Sequence, residues 1–128
     1  MTILLVDGNN VIGSVPDGWW RDRPGAVRRL VARLQCFVAT TGTPTQAVFD
    51  VPQPDLPEGD HDGVRVHYAT RKGRDAADDR ILELLDEGFD DEVEVITSDR
   101  NLAEGARRRG ARVSGAGQLL TRLDEAGC

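Results

Sequence analysis

The chain opens with the stretch TILLVDGNN, residues Thr2 to Asn10, which joins a short apolar strand to an acidic turn. An acid at the carboxyl end of a first strand lies where open α/β sheets build their ligand sites, provided that the chain goes on to alternate helix and strand. Acids recur at comparable places downstream, at Asp50, Asp75, Asp78 with Asp79, and Asp99. Carboxylates gathered at one sheet edge repel one another, so the pattern predicts a cation there.

Apolar periodicity divides the rest of the chain into alternating strands and helices. Five strands are predicted, at Thr2–Val6, Thr45–Asp50, Val64–Ala69, Glu92–Thr97 and Arg112–Ser114. Four helices are predicted, from about Pro24 to Gly42, about Ala76 to Glu87, roughly Leu102 to Arg109, and Ala116 to Glu125. Segments 8–22 and 52–63 are predicted as loops. This alternation predicts an α/β fold, a Rossmann-like domain whose mostly parallel sheet of about five strands carries helices on both faces.

Length and composition are those of an ordinary globular protein. The 128 residues are enough for one domain to bury its own core but too few for two domains, so residues 1–128 are predicted to form one domain. No segment is long and apolar enough to cross a membrane, and Met1 leads into a β-like run rather than a signal peptide, which predicts a cytoplasmic protein. Cys36, inside a helical pattern, and Cys128, the last residue, are predicted to be free thiols in a reducing compartment.

The distribution of charge matters more than its sum. The net charge of −6 argues against a polyanionic partner, because phosphate binding is normally driven by basic surface. Basic residues nevertheless cluster in two places. Arg71, Lys72 and Arg74 lie on the loop that leaves the third strand, where they could guide a phosphate backbone. For the second cluster, Arg107 to Arg109, a role as cations at a helix C-terminus is favoured over nucleic-acid binding.

The helix after the third strand distinguishes two adjacent acids by their phase. Its apolar side chains define an inward face. Around the helix axis, the direction of Asp78 differs from the centre of that face by only about 40°, and the direction of Asp79 differs by about 140°. Asp78 is therefore predicted to point inward and Asp79 to point to water. Stabilisation of acids by the helix dipole would explain Asp75, Asp78 and Asp79 as a cluster, but it does not explain an acid on the apolar face.

Asp99 has two competing interpretations on local grounds. It follows a strand and precedes a helix, so it could be the N-cap. Asn101, with Glu104 three residues later, offers a capping-box-like start of its own, which would leave Asp99 free to face the site. The joint pattern of Asp99 with Asp7 and Asp78 favours a metal-ligand role for Asp99. Together with Asp50, these acids form an oxygen-rich set that prefers Mg²⁺ or Mn²⁺.

Four short motifs carry a family resemblance. Asp7 to Ile12, Val48 to Asp50, Ala77 to Ile81 and Val95 to Arg100 resemble, in that order, the motifs of the NYN domains of the PIN-like nuclease superfamily, particularly the YacP-like branch. The resemblance implies a Rossmann-like sheet with a metal-dependent ribonuclease site. Carried over by position, it makes Asp7, Asp78 and Asp99 metal-binding acids and Asn10 the strand-end asparagine of the site. Asp50 matches an acid found in part of the superfamily.

The resulting hypothesis is hydrolysis of an RNA phosphodiester by water bound to divalent ions. Asp7, Asp78 and Asp99 would hold the ions, while Asn10, Ser98 and Arg100 would orient ligands or phosphate. Trp19 and Trp20 could stack on unpaired bases, although burial against the following helix is at least as good an explanation for one of them. The oligomeric state is left open between a monomer and a homodimer.

Two other classes of function are compatible with the same pattern. A receiver-like signalling domain also places acids on a doubly wound sheet, and Asp50 would then be the phosphoacceptor. Such a domain requires a lysine near the end of the last strand, but Arg112 and Ser114 occupy that place in this sequence. A non-catalytic RNA-binding or protein-interaction module could use the same fold. A pure RNA binder, however, gains nothing from a negative pocket.

Overall fold

One six-stranded sheet organises the protein in the computed structural model, which describes residues 1–128. The spatial order is β3-β4-β2-β1-β5-β6; β3 runs antiparallel to β4, and all other neighbours are parallel. The strands are β1 (Thr2–Asp7), β2 (Thr45–Phe49), β3 (Gly59–His61), β4 (Val64–Tyr68), β5 (Glu92–Ile96) and β6 (Arg112–Ser114). The predicted α/β class is confirmed. The additional strand, β3, is short and polar and gives no apolar alternation in the sequence, so the segment was predicted as loop.

Five helices pack against the sheet, one more than predicted. They are α1 (Gly8–Gly13), α2 (Arg23–Thr41), α3 (Ala76–Glu87), α4 (Arg100–Arg108) and α5 (Ala116–Glu125). The unpredicted α1 begins at the glycine and asparagines that follow β1, residue types that favour turns rather than helices. No helix is long and apolar enough to cross a membrane.

Gly8 begins α1 because nothing larger fits there. A Cβ on Gly8 would lie 2.3 Å from a ring carbon of Phe49, whose side chain is fully buried. The backbone at Gly8 does not adopt a positive φ. Glycine is therefore needed for the close approach of Phe49 and not for a sharp turn of the backbone.

Two hydrophobic cores cover the two faces of the sheet. Residues of α1, α2 and α5 pack against one face around Leu4, Val6 and Phe49. Residues of α3 and α4 pack against the other face around Leu5 and Val95. Adjacent residues of β1 thus enter opposite cores, as expected for a strand whose side chains alternate and whose faces are both buried.

The topology separates this fold from that of a receiver domain. Counted along the chain, the five parallel strands lie in the order 3-2-1-4-5, which is the Rossmann order, whereas receiver-like folds have the order 2-1-3-4-5. The receiver-like alternative is therefore wrong. The strand order reverses between β1 and β5, so the crevice beyond their carboxyl ends is where this topology places a ligand.

The two cysteines are bonded to each other, and the prediction of free thiols is wrong. Cys36 on α2 and Cys128 are 92 residues apart in sequence and 5.7 Å apart between Cα atoms. The chain end is not loose, because Arg33 Nε donates to the Cys128 carbonyl oxygen at 3.1 Å and also pairs with Asp124. A free pair was the observation that supported a reducing compartment, so the cytoplasmic location stays a prediction without that support.

Candidate active site

An acidic cleft of about 330 Å³ lies beyond the carboxyl ends of β1, β2 and β5. It is bounded by the β1–α1 turn, the end of β2, the start of α3 and the start of α4, so elements that are distant in sequence each supply one wall. Five carboxylates line it, those of Asp7, Asp50, Asp75, Asp78 and Asp99. The four acids predicted as metal ligands thus reach the same cleft.

Asp7 is the most buried of these acids, with only 3% of its surface exposed. Its Oδ2 accepts a 2.8 Å hydrogen bond from the Thr97 hydroxyl, which comes from the end of β5. Burial raises the pKa of Asp7 from its usual 3.8 to about 6; the Thr97 bond opposes this rise, and the charges of Asp99 and Asp50 add to it. The folded protein therefore holds this carboxylate as an anion only at a free-energy cost, which a bound cation would relieve.

Asp78 and Asp79 face opposite ways, as the helical phase predicts. Asp78 is partly buried and lines the cleft. Burial, followed by the charges of Asp7 and Asp99, raises the pKa of Asp78 to about 7. Asp79 is exposed and forms a salt bridge with Arg71, whose Nε donates to Asp79 Oδ2 at 3.0 Å.

Asp99 caps α4, which is one of the two alternatives that the sequence left open. Asp99 Oδ1 accepts the backbone N–H of Leu102 at 2.9 Å. The same side chain lines the acidic cleft, and its Oδ2 makes no hydrogen bond within the protein. Capping and facing the cleft were treated as alternatives in the sequence, but a carboxylate has two oxygens and Asp99 does both.

Two asparagines after β1 hold the neighbouring loops in place. Asn9 Oδ1 accepts the backbone N–H of Asp50 at 2.8 Å, and Asn10 Oδ1 accepts the backbone N–H of Ser98 at 2.8 Å. These two bonds connect the end of β1 to the ends of both strands beside it. Asn10 was expected at the site from the sequence, whereas Asn9 and Thr97 were not. Their only sequence signal is a polar residue at a strand end, which is too common to be informative.

Asp75 also faces the cleft, although the helix dipole was enough to explain it from the sequence. It precedes α3 with a left-handed backbone, φ 60° and ψ 15°, which is unusual for a residue other than glycine. Gly73 two residues earlier has φ 108°. Left-handed residues of this kind concentrate at functional sites, where the surrounding structure holds them.

Basic side chains border the acidic cleft on two sides. Arg74 lines the cleft itself, and Lys72 beside it is exposed and forms no salt bridge. Arg71 is instead engaged with Asp79 and with the carbonyl oxygens of Lys72 and Arg74, so it orders the loop. All three residues were expected to contact a phosphate backbone, and the loop brings Arg74 closest to the acids.

A second groove, of about 550 Å³, lies on the β6 side of the acidic cleft and shares Asp99 with it. Arg100 and Arg107 line this groove. Ser98 lines it as well, but the Ser98 Oγ accepts the backbone N–H of Ala116 at 3.0 Å and so helps to begin α5. Arg107 was assigned to the helix C-terminus from the sequence, and its place on this groove was missed.

The donor set of the acidic cleft fits a hard divalent cation. None of its five carboxylates forms a salt bridge, and their oxygens are the ligand type that Mg²⁺ and Mn²⁺ prefer. No three acidic, histidine or cysteine side chains are close enough together to hold an ion among themselves. Mg²⁺ characteristically keeps several waters and takes only one or two carboxylates from a protein, so the set is compatible with an ion held partly through water.

Comparison with known proteins supports the same fold and family. Residues 4–127 match the family described as the YacP-like NYN domain. The crystal structure of Rae1 (YacP) from Bacillus subtilis aligns with a TM-score of 0.81 and 27% identity over 99% of this chain and 76% of that one. A point mutant of the same protein aligns with a TM-score of 0.81 and 26% identity, over 99% of this chain and 77% of that one. No curated protein matches this sequence.

Proposed function

The chain belongs to the YacP-like NYN domain family, and from this membership and its acidic cleft we propose that it is a divalent-metal-dependent ribonuclease that hydrolyses RNA phosphodiester bonds. The observation that carries the proposal is the set of five carboxylates without a salt bridge in one cleft at the switch point of the sheet. Such a cleft repels a polyanion unless a cation lies in it. A cleft that served RNA binding alone would be better built from basic residues.

Asp7 and Asp78 are the residues proposed to hold the cation, with Asp99 and Asp50 contributing directly or through water. Their raised pKa values follow from burial and mutual repulsion, the two effects that a cation compensates. A bound Mg²⁺ or Mn²⁺ supplies activation of a water molecule and stabilisation of the charge that grows on the phosphoryl and leaving oxygens.

The remaining residues position the acids and the RNA. Thr97 fixes the Asp7 carboxylate through its hydroxyl, and Asn9 and Asn10 fix the loops that carry Asp50 and Asp99. Asn10 Nδ2 makes no hydrogen bond within the protein and is available to a phosphate or to a water molecule. Arg74 on one side and Arg100 with Arg107 on the other offer cationic contacts for the backbone that leaves the cleft.

The test compares cleavage by three isosteric variants of neighbouring acids. Purified protein is incubated with labelled single-stranded RNA in the presence of Mg²⁺ or Mn²⁺, and products are resolved on a denaturing gel. We expect Asp7→Asn and Asp78→Asn to lose cleavage by roughly a hundredfold or more, since each removes a proposed ligand. Asp79→Asn is the matched control, because Asp79 follows Asp78 on the same helix but lies outside the cleft, and it should retain cleavage.

The same assay distinguishes a nuclease from a non-catalytic RNA-binding module. If RNA binds but stays intact with either metal, the protein is a binding module and the nuclease proposal is wrong. If Asp78→Asn cleaves as well as Asp79→Asn does, the proposed site is wrong.

A further inference from the structure

A separate cavity of about 340 Å³ opens beside the acidic cleft, on the β2 side. The two share Asn9 and Asp50, so a ligand in the cavity would continue directly into the cleft. Residues from α1, the 3₁₀ turn at Trp19–Arg21, the start of α2 and the loop after β2 form its walls. Its wall residues are Ile12, Trp19, Arg23, Val27, Val51 and Gln53.

The walls combine flat stacking surfaces with a few polar groups. Trp19 is partly buried against the core, and the guanidinium carbon of Arg23 lies 5.3 Å from the centre of a Trp19 ring. Arg23 forms no salt bridge or side-chain hydrogen bond, so its charge is not neutralised within the protein. Gln53 Nε2 donates to the Val51 carbonyl oxygen at 3.3 Å, and Gln53 Oε1 accepts no hydrogen bond within the protein.

The rim of this cavity leaves apolar surface in water. Val51 in its wall is 56% exposed; among large hydrophobic residues only Met1 and Trp20, neither of which lines the cavity, are as exposed. Indole and guanidinium planes are the side-chain surfaces on which unpaired nucleobases stack.

We propose that this cavity, the Trp19 pocket, binds one unpaired nucleobase of single-stranded RNA next to the phosphate that lies in the acidic cleft. The base stacks on the planar surface formed by Trp19 and Arg23, and Gln53 offers a hydrogen-bond acceptor to its edge. Arg23 also supplies a positive charge to the adjoining phosphate. The inference rests on the proposed ribonuclease function and extends it by naming an unpaired base as the recognised element.

The test measures binding separately from cleavage. Fluorescently labelled single-stranded RNA is titrated with protein carrying Asp78→Asn, which reduces the negative charge of the cleft and is expected to prevent turnover. A matched series of RNAs carries one abasic nucleotide at each position in turn. We expect one abasic position to weaken binding by roughly tenfold or more, as is typical for the loss of one stacked base.

Replacing a residue of the Trp19 pocket should weaken RNA binding by a similar factor. Binding by the variant should then no longer depend on which position is abasic. Trp19→Leu is expected to weaken binding of intact RNA by roughly tenfold, and to bind the sensitive abasic RNA no more weakly than intact RNA. Gln53→Met, which keeps roughly the length of the side chain but removes the acceptor oxygen, provides a second variant because Trp19 packs partly against the core. It should alter the preference among the four bases at that one position. The control is Trp20→Leu, the adjacent exposed tryptophan that does not line the pocket, and it should retain binding and positional sensitivity.

Each outcome bears on one proposal at a time. A flat abasic scan, or a Trp20→Leu variant that loses as much affinity as Trp19→Leu, overturns the pocket whether or not the protein cleaves RNA. Conversely, a position-dependent scan with a wild-type protein that leaves RNA intact supports the pocket and overturns the nuclease.

Discussion

The Thr97 hydroxyl donates a hydrogen bond of 2.8 Å to Asp7 Oδ2, between residues 90 apart in sequence. The same hydroxyl oxygen accepts the backbone N–H of Asp99 at 3.1 Å. One threonine at the end of β5 therefore fixes both the buried acid after β1 and the acid that caps α4. This arrangement holds both carboxylates at the acidic cleft despite the repulsion between them, which contributes to the raised pKa of Asp7.

Thr97→Val should move the pH dependence of activity. Valine keeps the shape of the side chain but removes the hydrogen bond that lowers the pKa of Asp7, so this pKa should rise further. We expect the acidic limb of the profile of kcat/KM against pH to shift to higher pH, together with a loss of about 1 kcal/mol in the free energy of unfolding.

Thr45→Val provides the matched control for this change. Thr45 is also buried, and its hydroxyl donates to the Thr43 carbonyl oxygen at 3.1 Å at the opposite end of the sheet. It should cost similar stability without moving the pH profile. An unchanged profile for Thr97→Val would show that Thr97 does not tune Asp7.

Asp7→Asn should stabilise the metal-free protein while it abolishes activity. The folded protein binds the Asp7 proton more tightly than the unfolded chain does, so the free energy of unfolding falls as pH rises from about 4 through about 6. Asparagine removes this penalty and retains an oxygen for the Thr97 hydroxyl. We expect a gain of roughly 1 to 3 kcal/mol at pH about 8, which vanishes near pH about 4.

Thermal unfolding in the presence of a chelator measures this difference at both pH values. A variant that is less stable than the wild type at the higher pH would show that the buried charge of Asp7 is compensated within the protein. Glu92→Gln serves as a control for the removal of one acid, because Glu92 is exposed and lies at the far end of β5.

Binding of Mn²⁺ should release protons and strengthen with pH. The ligands must be deprotonated, and burial raises the pKa of Asp7 to about 6 and that of Asp78 to about 7. Affinity should therefore rise steeply across this interval and level off above about pH 8. Calorimetric titration in two buffers of different ionisation enthalpy counts the protons released. Affinity that is independent of pH would place the ion elsewhere.

Removal of the disulfide should destabilise the protein without disabling the site. The bond between Cys36 and Cys128 closes a loop with a sequence separation of 92 residues and lies on the α2 and α5 side, away from the acidic cleft. Replacement of both cysteines by serine should lower the free energy of unfolding by roughly 3 to 5 kcal/mol on the chain-entropy account. Chemical denaturation with and without a reductant measures this, and the single variant Cys128→Ser should match the double one.

Local periodicity was sufficient to predict most of the helices and strands. The residue patterns of β1, β2, β4, β5 and β6 and the apolar stripes of the four longer helices are properties of short segments, so their positions could be predicted to within about two residues. The helix α1 and the strand β3 could not. Gly8 and the asparagines after it favour turns by themselves, and the close approach of Phe49 that requires glycine at position 8 arises only in the folded protein.

Some features of the site could likewise be predicted from local patterns, and others could not. The inward direction of Asp78 follows from helical phase alone, and the positions of Asp7 and Asp50 follow from strand ends in a parallel sheet. The cap of α4 could not be decided locally, because Asp99 and Asn101 both offer an oxygen at a suitable spacing. The hydrogen bonds of the folded loop favoured Asp99.

The sequence by itself thus determined the α/β class, the edge of the sheet at which the acids meet and the face on which Asp78 lies, since all three depend on repeats of a few residues. Only the tertiary structure decided the partners of these groups: Thr97 for Asp7, Asn9 for Asp50 and Cys36 for Cys128. It also decided that Trp19 lines a pocket while Trp20 is exposed. These pairings join residues from opposite parts of the chain, and their distances are fixed by the packing of whole elements rather than by any local pattern.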